Sequence, residues 1–502
     1  MRWPGVATMA LLLGCTPVSS PAPASPAPGD AALAKTAAGR ALAGFLAVYN
    51  TGRPDSVAAG LARLYAAASL AQRSAPQRAA GFQLWFRNYG SLTPVRVDSL
   101  TPSAAVVTVR HGLTGGWGVI YLDVDSLEPH GITGVGLLPF TEPADWSALT
   151  VSTERALVAD LRALADRLSR ADAFSGVVLL THGGRPLLEE AFGFADREAR
   201  RPNTPQTRFE LASVSKLFTA VAALRLVEAG RLDLEATIGS VLPDLPAPSA
   251  GVTLHQLLTM ASGIPDLFRS PHYWAQRANL RTLSDYWPFF AAAPLEFPPG
   301  TAWSYSNSNF LLLGSAVERL SGVPFAAAVE QAVFAPAGMT NTSYRSGPAA
   351  LRARGYTNRR PGGGPGAAPE PDRWYPAGEE ADSGSGSPAG GGVSTAADLT
   401  RFALALLSGK LLGPELTRRA MTGYIATEYG GKDGYGLETR NWNGVRIVGH
   451  GGGFTGVSNQ VDIYPDLEYV LVVLGNSDAS GTEALANRLR GLLASSPALS
   501  RR

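Results

Sequence analysis

Hydrophobic positions in the first third of the chain recur first at helical spacing and then as short apolar runs. Leu42, Phe45, Leu46 and Tyr49 share one helix face, and the segments near 54–70 and 76–89 show a similar pattern. Apolar, β-branched runs follow at four places: Val95–Val97, Val106–Val109, Val119–Val124 and Ile132–Leu138. Helices followed by strands are typical of an α+β unit, so we predict helices packed on an antiparallel sheet over residues 31–146.

The pattern of residues 150–498 predicts a second, larger domain. An amphipathic helix over 152–170 precedes strands at 176–181 and 186–193, and the apolar helix Leu217–Val227 follows. Helical segments with proline-rich breaks occupy 232–345. Strand patterns return near the end, before a final helix over 480–494: Val445–Val448, Val457–Tyr464 and Tyr469–Gly475.

A sheet formed from both ends of this domain leaves a crevice where the sheet meets the helical insert. We therefore predict an α+β (α/β sandwich) fold, with an antiparallel sheet flanked by helices and a helical subdomain inserted. Two loops, 265–295 and 361–388, are expected to form pocket walls, and loops of that length are often functional.

Composition narrows the classes of function. A length of 502 residues favours two or three domains, and 45% hydrophobic with 17% charged residues is ordinary for a globular protein. The net charge of +2 offers no basic field, so we expect no nucleic-acid partner. The six histidines are scattered and lack a His-Glu-x-x-His motif, so we expect no metal and no cofactor.

The N-terminus has the features of an export signal. Its apolar stretch Val6–Leu13 is far shorter than the ~20 residues that span a bilayer. It ends at Leu12-Leu13-Gly14-Cys15, which resembles the bacterial lipobox, and Cys15 is the only cysteine, so the chain cannot form an internal disulfide. We predict a signal peptide over 1–15, a Pro/Ala-rich linker over 16–30 and lipidation of Cys15 in a bacterial cell envelope; the alternative is a plain secretory signal.

Ser213 and Lys216 lie three residues apart at the start of an apolar helix. Residues at that spacing share a helix face, with β-carbons about 5–6 Å apart, so the amine can reach the hydroxyl. The backbone N–H of a serine at a helix start is also placed to stabilise negative charge. The alternative interpretation is a helix-capping serine followed by a solvated lysine.

A second candidate group is Tyr305-Ser306-Asn307. The turn signal Pro298-Pro299-Gly300 predicts that Tyr305 lies in a loop before the helix that begins near Phe310. A phenol can exchange a proton with a nucleophile or leaving group once a neighbouring cation lowers its pKa. The alternative is a buried tyrosine that hydrogen-bonds its own loop.

The third group is His450-Gly451-Gly452-Gly453, placed between two predicted strands. Glycines let a strand edge approach a ligand, so the N–H groups of Gly453 and Ser213 could form an oxyanion hole. The alternative is a glycine-rich hairpin with a surface histidine. The spacing also satisfies Gly-x-Gly-x-x-Gly, but a strand rather than a helix follows, which argues against a dinucleotide site.

Several longer segments accompany these groups in the same order: 209–216, 253–265, 388–395 and 449–452. Together they resemble the serine β-lactamase and penicillin-binding protein superfamily over about residues 155–495. The class C branch, which includes esterases and D-aminopeptidases, is the most similar. The N-terminal pattern resembles NTF2-like or cystatin-like modules.

The resemblance implies a role for each residue. Ser213 would be acylated, Lys216 would activate it, Tyr305 would act as acid and base, and Asn307 would contact a substrate amide. His450 stands where many relatives have lysine, which disfavours β-lactamase activity because imidazole is mostly neutral near pH 7.

The function implied is an acyl-enzyme hydrolase acting on an ester, a D-amino-acid peptide or a related amide. The alternative is a catalytically silent envelope module that binds peptidoglycan or a protein partner. Whether Lys216 or Tyr305 is the base stays open. We expect Lys216 to be enclosed, because burial lowers the pKa of an amine.

Overall fold

The structure is a computed structural model that describes residues 33–140, 150–345, 347–360, 370, 373–377, 386–479 and 481–500. The predicted signal peptide, Cys15 and the 16–30 linker lie outside the described residues, as does much of the 361–388 loop.

Residues 33–140 form an N-terminal module of helices packed on an antiparallel sheet. Its strands pair in chain order, and the buried side chains of both layers form one core. The α+β arrangement is therefore confirmed, while the likeness to NTF2-like or cystatin-like modules stays a prediction. The elements are α1 (Ala37–Tyr49), α2 (Pro54–Leu64), α3 (Ala67–Gln72), α4 (Ala75–Tyr89), β1 (Leu92–Leu100), β2 (Ala104–His111), β3 (Trp117–Val124) and β4 (Ile132–Phe140).

Local sequence explains the helix ends of this module. The Thr36 hydroxyl accepts from the backbone of Gly39 and caps α1, and Ser74 and Gln77 form a capping box at α4. The helix predicted over 54–70 is divided, because Tyr65 turns extended and bridges to β4 before α3 begins.

The second domain begins with α5 and contains the larger sheet. Its helices are α5 (Glu154–Arg170), α6 (Lys216–Glu228), α7 (Leu254–Leu258), α8 (Pro271–Gln276), α9 (Asn307–Ser321), α10 (Phe325–Val329), α11 (Ala335–Ala337), α12 (Ala396–Leu407), α13 (Pro414–Ala420), α14 (Gly481–Ser495) and α15 (Pro497–Ser500). Shorter 3₁₀ turns lie between them: Ala212–Ser215, Ile238–Ser240, Ser249–Gly251, Leu267–Arg269, Arg277–Asn279, Leu283–Phe289 and Ala349–Leu351. A π-helical turn, Glu330–Phe334, separates α10 from α11.

The strands of this domain come from both ends of its sequence. They are β5 (Gly176–His182), β6 (Arg185–Phe192), β7 (Phe194–Asp196), β8 (Arg201–Pro202), β9 (Phe209–Glu210), β10 (Tyr356–Thr357), β11 (Tyr375–Pro376), β12 (Val393–Ser394), β13 (Ile425–Ala426), β14 (Lys432–Asp433), β15 (Glu438–Trp442), β16 (Val445–Phe454), β17 (Val457–Tyr464) and β18 (Tyr469–Gly475).

Eight of these strands form one antiparallel sheet in the order β13-β14-β15-β16-β17-β18-β5-β6. The pairing of β18 with β5, from Tyr469↔His182 to Gly475↔Gly176, joins the two ends of the domain. Helices α5 and α14 cover one face, and the helical insert with α6, α9 and α12 covers the other. The predicted sheet with a helical insert is confirmed.

One strand extends further than the sequence indicates. The prediction ends a strand at Val448 and places the His450 motif in a connection, but β16 continues to Phe454. Each residue from Val448 to Phe454 pairs with one in β17, ending at Phe454↔Val457. The placement of the His450 motif between strands is therefore wrong, because the glycines are held straight by pairing with β17.

No single helix in the described ranges has the length and apolar character needed to cross a bilayer. Two helical stretches, Asn307–Ser321 and Phe325–Ala337, reach that length and apolar character only when taken together, and a bend of 79° separates them.

Candidate active site

Ser213 lies in a tight turn that the surrounding backbone fixes. The preceding Ala212 has a φ of +46°, a left-handed conformation that disfavours a residue with a β-carbon. Two hydrogen bonds hold the turn, from Leu211 N to Gly392 O (3.0 Å) and from Gly391 N to Ala212 O (3.2 Å). The hydroxyl is thereby presented from the short turn Ala212–Ser215, three residues before α6 begins at Lys216, rather than used as a helix cap.

The Lys216 side chain is fully buried beside this hydroxyl. Its Nζ donates to Ser213 Oγ at 3.0 Å, to Asn307 Oδ1 at 2.8 Å and to the carbonyl oxygen of Ala389. An ammonium has three N–H donors, so the charged form is fully satisfied. The alternative of a solvated lysine is therefore wrong.

Burial lowers the pKa of Lys216 to about 7, although the nearby Asp266 carboxylate acts to raise it. A substantial share of the amine is thus neutral near pH 7, with two N–H donors and one lone pair. Amide and carbonyl oxygens can only accept, so Asn307 and Ala389 hold the two N–H groups. The lone pair is left facing Ser213, which is the geometry of a base.

Tyr305 lies in the loop immediately before α9, as predicted, and its hydroxyl donates to Ser213 Oγ at 2.9 Å. Burial raises the pKa of this phenol, and the charges of Glu438, Asp266 and Asp433 raise it further. The expectation that a neighbouring cation lowers this pKa is wrong: the pKa is raised even though the Lys216 amine lies 4.9 Å from the ring centroid. In the free site Tyr305 is a proton donor.

Asn307 has both ends of its carboxamide in contact with the protein. Its Oδ1 accepts from Lys216, and its Nδ2 donates to Asp266 Oδ2 at 2.8 Å. The same carboxylate oxygen accepts the Asn307 backbone N–H at 3.2 Å. The contact of Asn307 with a substrate amide stays a prediction. In the structure Asn307 is a hydrogen-bond partner of Lys216.

Asp266 is a site residue that the sequence reasoning missed. It follows the segment 253–265 that carries the resemblance, but a lone carboxylate after Ile264-Pro265 resembles an ordinary turn residue. Only the fold places it against the first residue of α9.

His450 lies within β16 and is 5% exposed, so the alternative of a surface histidine is wrong. Burial lowers the pKa of the imidazole and the charge of Lys216 lowers it further, while Glu438 opposes both. Its Nδ1 donates to the carbonyl oxygen of Gly451. The wall of the site on this side therefore carries a neutral ring.

Two neighbouring glycines of β16 have different surroundings. A β-carbon on Gly452 would lie 2.3 Å from the Leu211 carbonyl oxygen and 3.0 Å from Val214 Cγ2, so only glycine lets β16 approach the Ser213 turn. A β-carbon on Gly453 would meet nothing within 4 Å. The structure thus brings the strand against the nucleophile turn, and the oxyanion role of the Ser213 and Gly453 N–H groups stays a prediction.

The segment 388–392 supplies carbonyl groups beneath the site. Ala389 O accepts from Lys216, Gly391 O accepts from the Ser215 hydroxyl, and Pro388 O accepts from Thr219 Oγ1 at 2.7 Å. The sequence analysis uses this segment only as part of the resemblance over 388–395, and it does not predict that these carbonyl groups anchor the Ser213 turn and α6. Among the described residues, no group of three or more His, Cys, Asp or Glu is arranged to hold a metal ion.

The second domain is similar to known proteins. The family model described as Beta-lactamase matches residues 156–495. Esterase EstB of Burkholderia gladioli is 37% identical over 212 residues, which are 38% of this chain and 52% of the esterase. Penicillin-binding protein 4* of Bacillus subtilis (strain 168) is 34% identical over 194 residues, 36% of this chain and 40% of that protein.

The chain thus spans about half or less of the length of these curated relatives. A crystal structure of a penicillin binding protein from Bacillus halodurans is similar over 67% of this chain and 98% of its own, with 32% identity and a TM-score of 0.57. The matched region 156–495 contains Ser213, Lys216, Tyr305 and His450 and begins after the N-terminal module.

Proposed function

The chain belongs to the Beta-lactamase family, and we propose that it is a serine hydrolase that cleaves carboxylic esters through an acyl-enzyme on Ser213. The observation that carries this proposal is the hydrogen-bonded set of Lys216 Nζ, Ser213 Oγ and Tyr305 Oη, at 3.0 and 2.9 Å. Near pH 7 Tyr305 keeps its proton, because its pKa is raised, and a substantial share of the Lys216 amine is neutral, because its pKa is lowered to about 7.

Acylation begins with proton transfer from the Ser213 hydroxyl to the neutral Lys216 amine. The oxygen then forms a bond to the ester carbonyl carbon, and the carbonyl oxygen becomes an oxyanion beside the Ser213 and Gly453 N–H groups. When the tetrahedral intermediate collapses, the carbon–oxygen bond to the alcohol breaks. The alcohol takes a proton from Tyr305, and the tyrosinate is then neutralised by the proton that Lys216 took from Ser213, which passes directly from the amine to the phenol oxygen. Water repeats the sequence in reverse and releases the acid.

The surroundings of His450 favour an ester over a substrate with a free carboxylate. A buried neutral imidazole offers no fixed positive charge, so a carboxylate placed beside it would be desolvated without a cation to pair with. The similarity to an esterase supports the same substrate class. D-amino-acid peptides and related amides remain the second class of substrate to be tried.

Labelling with a fluorophosphonate tests the nucleophile. We expect an adduct on the peptide that contains Ser213, its loss in Ser213→Ala, and its retention in Ser240→Ala, which alters an exposed serine elsewhere in the domain. Hydrolysis of p-nitrophenyl esters should fall by at least about 10³-fold in Ser213→Ala. A folded protein that takes no label would instead support a silent module that binds peptidoglycan or a protein partner.

Substrate preference is tested by comparing p-nitrophenyl acetate or butyrate with nitrocefin. We expect the ester to have the higher kcat/KM, and His450→Lys to raise the relative rate with nitrocefin by introducing a cation for its carboxylate. Faster cleavage of nitrocefin by the unaltered protein would refute the ester assignment.

We also propose that the protein is exported and held in a bacterial envelope by a lipid on Cys15. The support is the sequence Leu12-Leu13-Gly14-Cys15 and the proline-rich linker that follows. Metabolic labelling with a fatty acid should mark the protein and not a Cys15→Ala variant. Equal labelling of the two would remove the lipid anchor from the proposal.

A further inference from the structure

We infer that the N-terminal module positions one wall of the active site, and that Arg87 is the residue through which it does so. The family match begins after this module, so the match assigns it no part in the reaction. The route runs from Arg87 through Trp374 to the β16–β17 turn, which follows Gly453.

The first step is an aromatic contact between the two domains. The Arg87 guanidinium, near the end of α4, lies 4.5 Å from the ring centroid of Trp374. A second guanidinium, that of Arg197, lies 4.6 Å from the same centroid. Arg197 also forms an ion pair with Asp172 (2.8 Å), and the Trp374 indole N–H donates to the same carboxylate. Two guanidinium groups and one carboxylate thus hold the indole, and the N-terminal module supplies one of the guanidinium groups.

The second step connects Trp374 to the catalytic sheet. The next residues, Tyr375 and Pro376, pair with Thr357 and Tyr356 to form the small β10–β11 sheet. Ala377 then donates its N–H to Gly355 O at 2.9 Å. Trp374 therefore lies directly before the strand that completes this sheet, so a displacement of its ring is passed to β11 along the chain.

The third step is close packing of that sheet on the β16–β17 turn. A β-carbon on Gly456 would lie 2.7 Å from Ala377 Cβ and 2.8 Å from Tyr356 N, so the turn and the small sheet are in direct backbone contact. Gly456 has a φ of +76° and lies three residues after Gly453. Phe454↔Val457 is the last pair of the two strands, so this turn closes the hairpin one pair beyond Gly453↔Ser458 and influences the direction of the Gly453 N–H together with that pairing.

Arg87 is accordingly a positioning residue, which acts through Trp374 and does not touch the reacting atoms. A matched control exists in the same module: the Arg78 guanidinium lies 4.4 Å from the ring centroid of Tyr65. That pair has the same chemistry, and both of its residues belong to the N-terminal module.

The experiment compares Arg87→Met with Arg78→Met in the full chain. Amide hydrogen exchange should become faster, by about threefold or more, in peptides covering 373–377 and 451–459, and should be unchanged in β5 and β6. The rate of fluorophosphonate labelling at Ser213 should fall by about three- to tenfold. Arg87→Lys should restore most of both effects, and Arg78→Met should show neither.

The inference is overturned if Arg87→Met leaves exchange in 451–459 unchanged, or if exchange rises equally across the second domain. It rests on the proposed function only for the labelling readout. If the unaltered protein takes no label, the proposed function fails, and the exchange data still decide whether the module positions the strand. Should Arg87→Met not fold, Trp374→Leu removes the same contact from the other side and is expected to give the same local pattern.

Discussion

The two walls beside Ser213 differ in how fully the protein uses their polar groups. On the α6 and α9 side, the Lys216 amine has three partners, and the Asn307 carboxamide contacts both Lys216 and Asp266. On the β16 side, Gly453 is exposed and a side chain there would meet nothing within 4 Å. We call the first the closed wall, because contacts within the protein fill it, and the second the open wall, because it borders open space.

This difference has a physical cause. An amine with a pKa near 7 requires a dry, close-packed pocket, because water would restore its ordinary basicity. An oxyanion site requires the opposite, an N–H group that a ligand can reach. Packing within the protein therefore sets the geometry of Ser213, Lys216 and Asn307, and under the proposed function the open side is where a substrate carbonyl would bind.

The largest expected effect comes from removing the Lys216 amine from the closed wall. Lys216→Met keeps an unbranched buried side chain and removes the base, so kcat/KM for a p-nitrophenyl ester should fall by about 10³-fold. Steady-state kinetics at pH 8 measure this, with Lys410→Met, an exposed lysine on the surface, as the control. A loss of less than about tenfold in Lys216→Met would mean that Tyr305 is the base and that the closed wall is structural.

A smaller effect is expected on the open wall, where alanine substitutions at two adjacent glycines should change kcat to different extents. In Gly452→Ala the new methyl group would lie 2.3 Å from Leu211 O, so β16 must move away from the Ser213 turn and the oxyanion donor moves with it. We expect about a 10²-fold loss of kcat. Gly453→Ala should change kcat by less than about threefold, because its β-carbon enters open space.

Measured kcat values for the two glycine variants test whether the walls are coupled. If both variants lose activity equally, the strand is sensitive everywhere and close approach at Gly452 is not its distinguishing feature. If neither loses activity, the β16 wall takes no part in oxyanion stabilisation.

The same contrast explains what could be predicted from the sequence. Ser213 and Lys216 are neighbours on one helical turn, so local geometry alone brings them together. The strands that join the two ends of the domain are long and apolar, and their pairing was anticipated. Asp266, by contrast, becomes a site residue only through a tertiary contact with Asn307, and a single carboxylate in a turn carries no sequence signal for that.

The direction in which the pKa of Tyr305 shifts also cannot be predicted from the sequence. A tyrosine near a lysine suggests a lowered pKa, but burial raises the pKa of Tyr305 and the charges of nearby carboxylates raise it further. Likewise, glycines read as a loop proved to be a paired strand, because the partner strand rather than local propensity decides the conformation.

The smallest predicted effect concerns the free energy of unfolding, which the burial of Lys216 in the closed wall lowers near neutral pH. Lys216 has a pKa of about 7 when folded and about 10.5 when unfolded, so between these values the unfolded chain binds one proton more. Stability contributed by this group therefore rises with pH, by up to about 1.4 kcal/mol per pH unit. From pH 7 to pH 9 the wild-type protein should gain about 2 kcal/mol relative to Lys216→Met. Urea unfolding of the wild-type protein and of Lys216→Met at both pH values measures this difference. The contributions of all other titratable groups are common to the two proteins and cancel. If the free energies of unfolding of the two proteins change equally between pH 7 and pH 9, Lys216 keeps its proton in the folded state. It would then have no lone pair near pH 7 and could not act as the base.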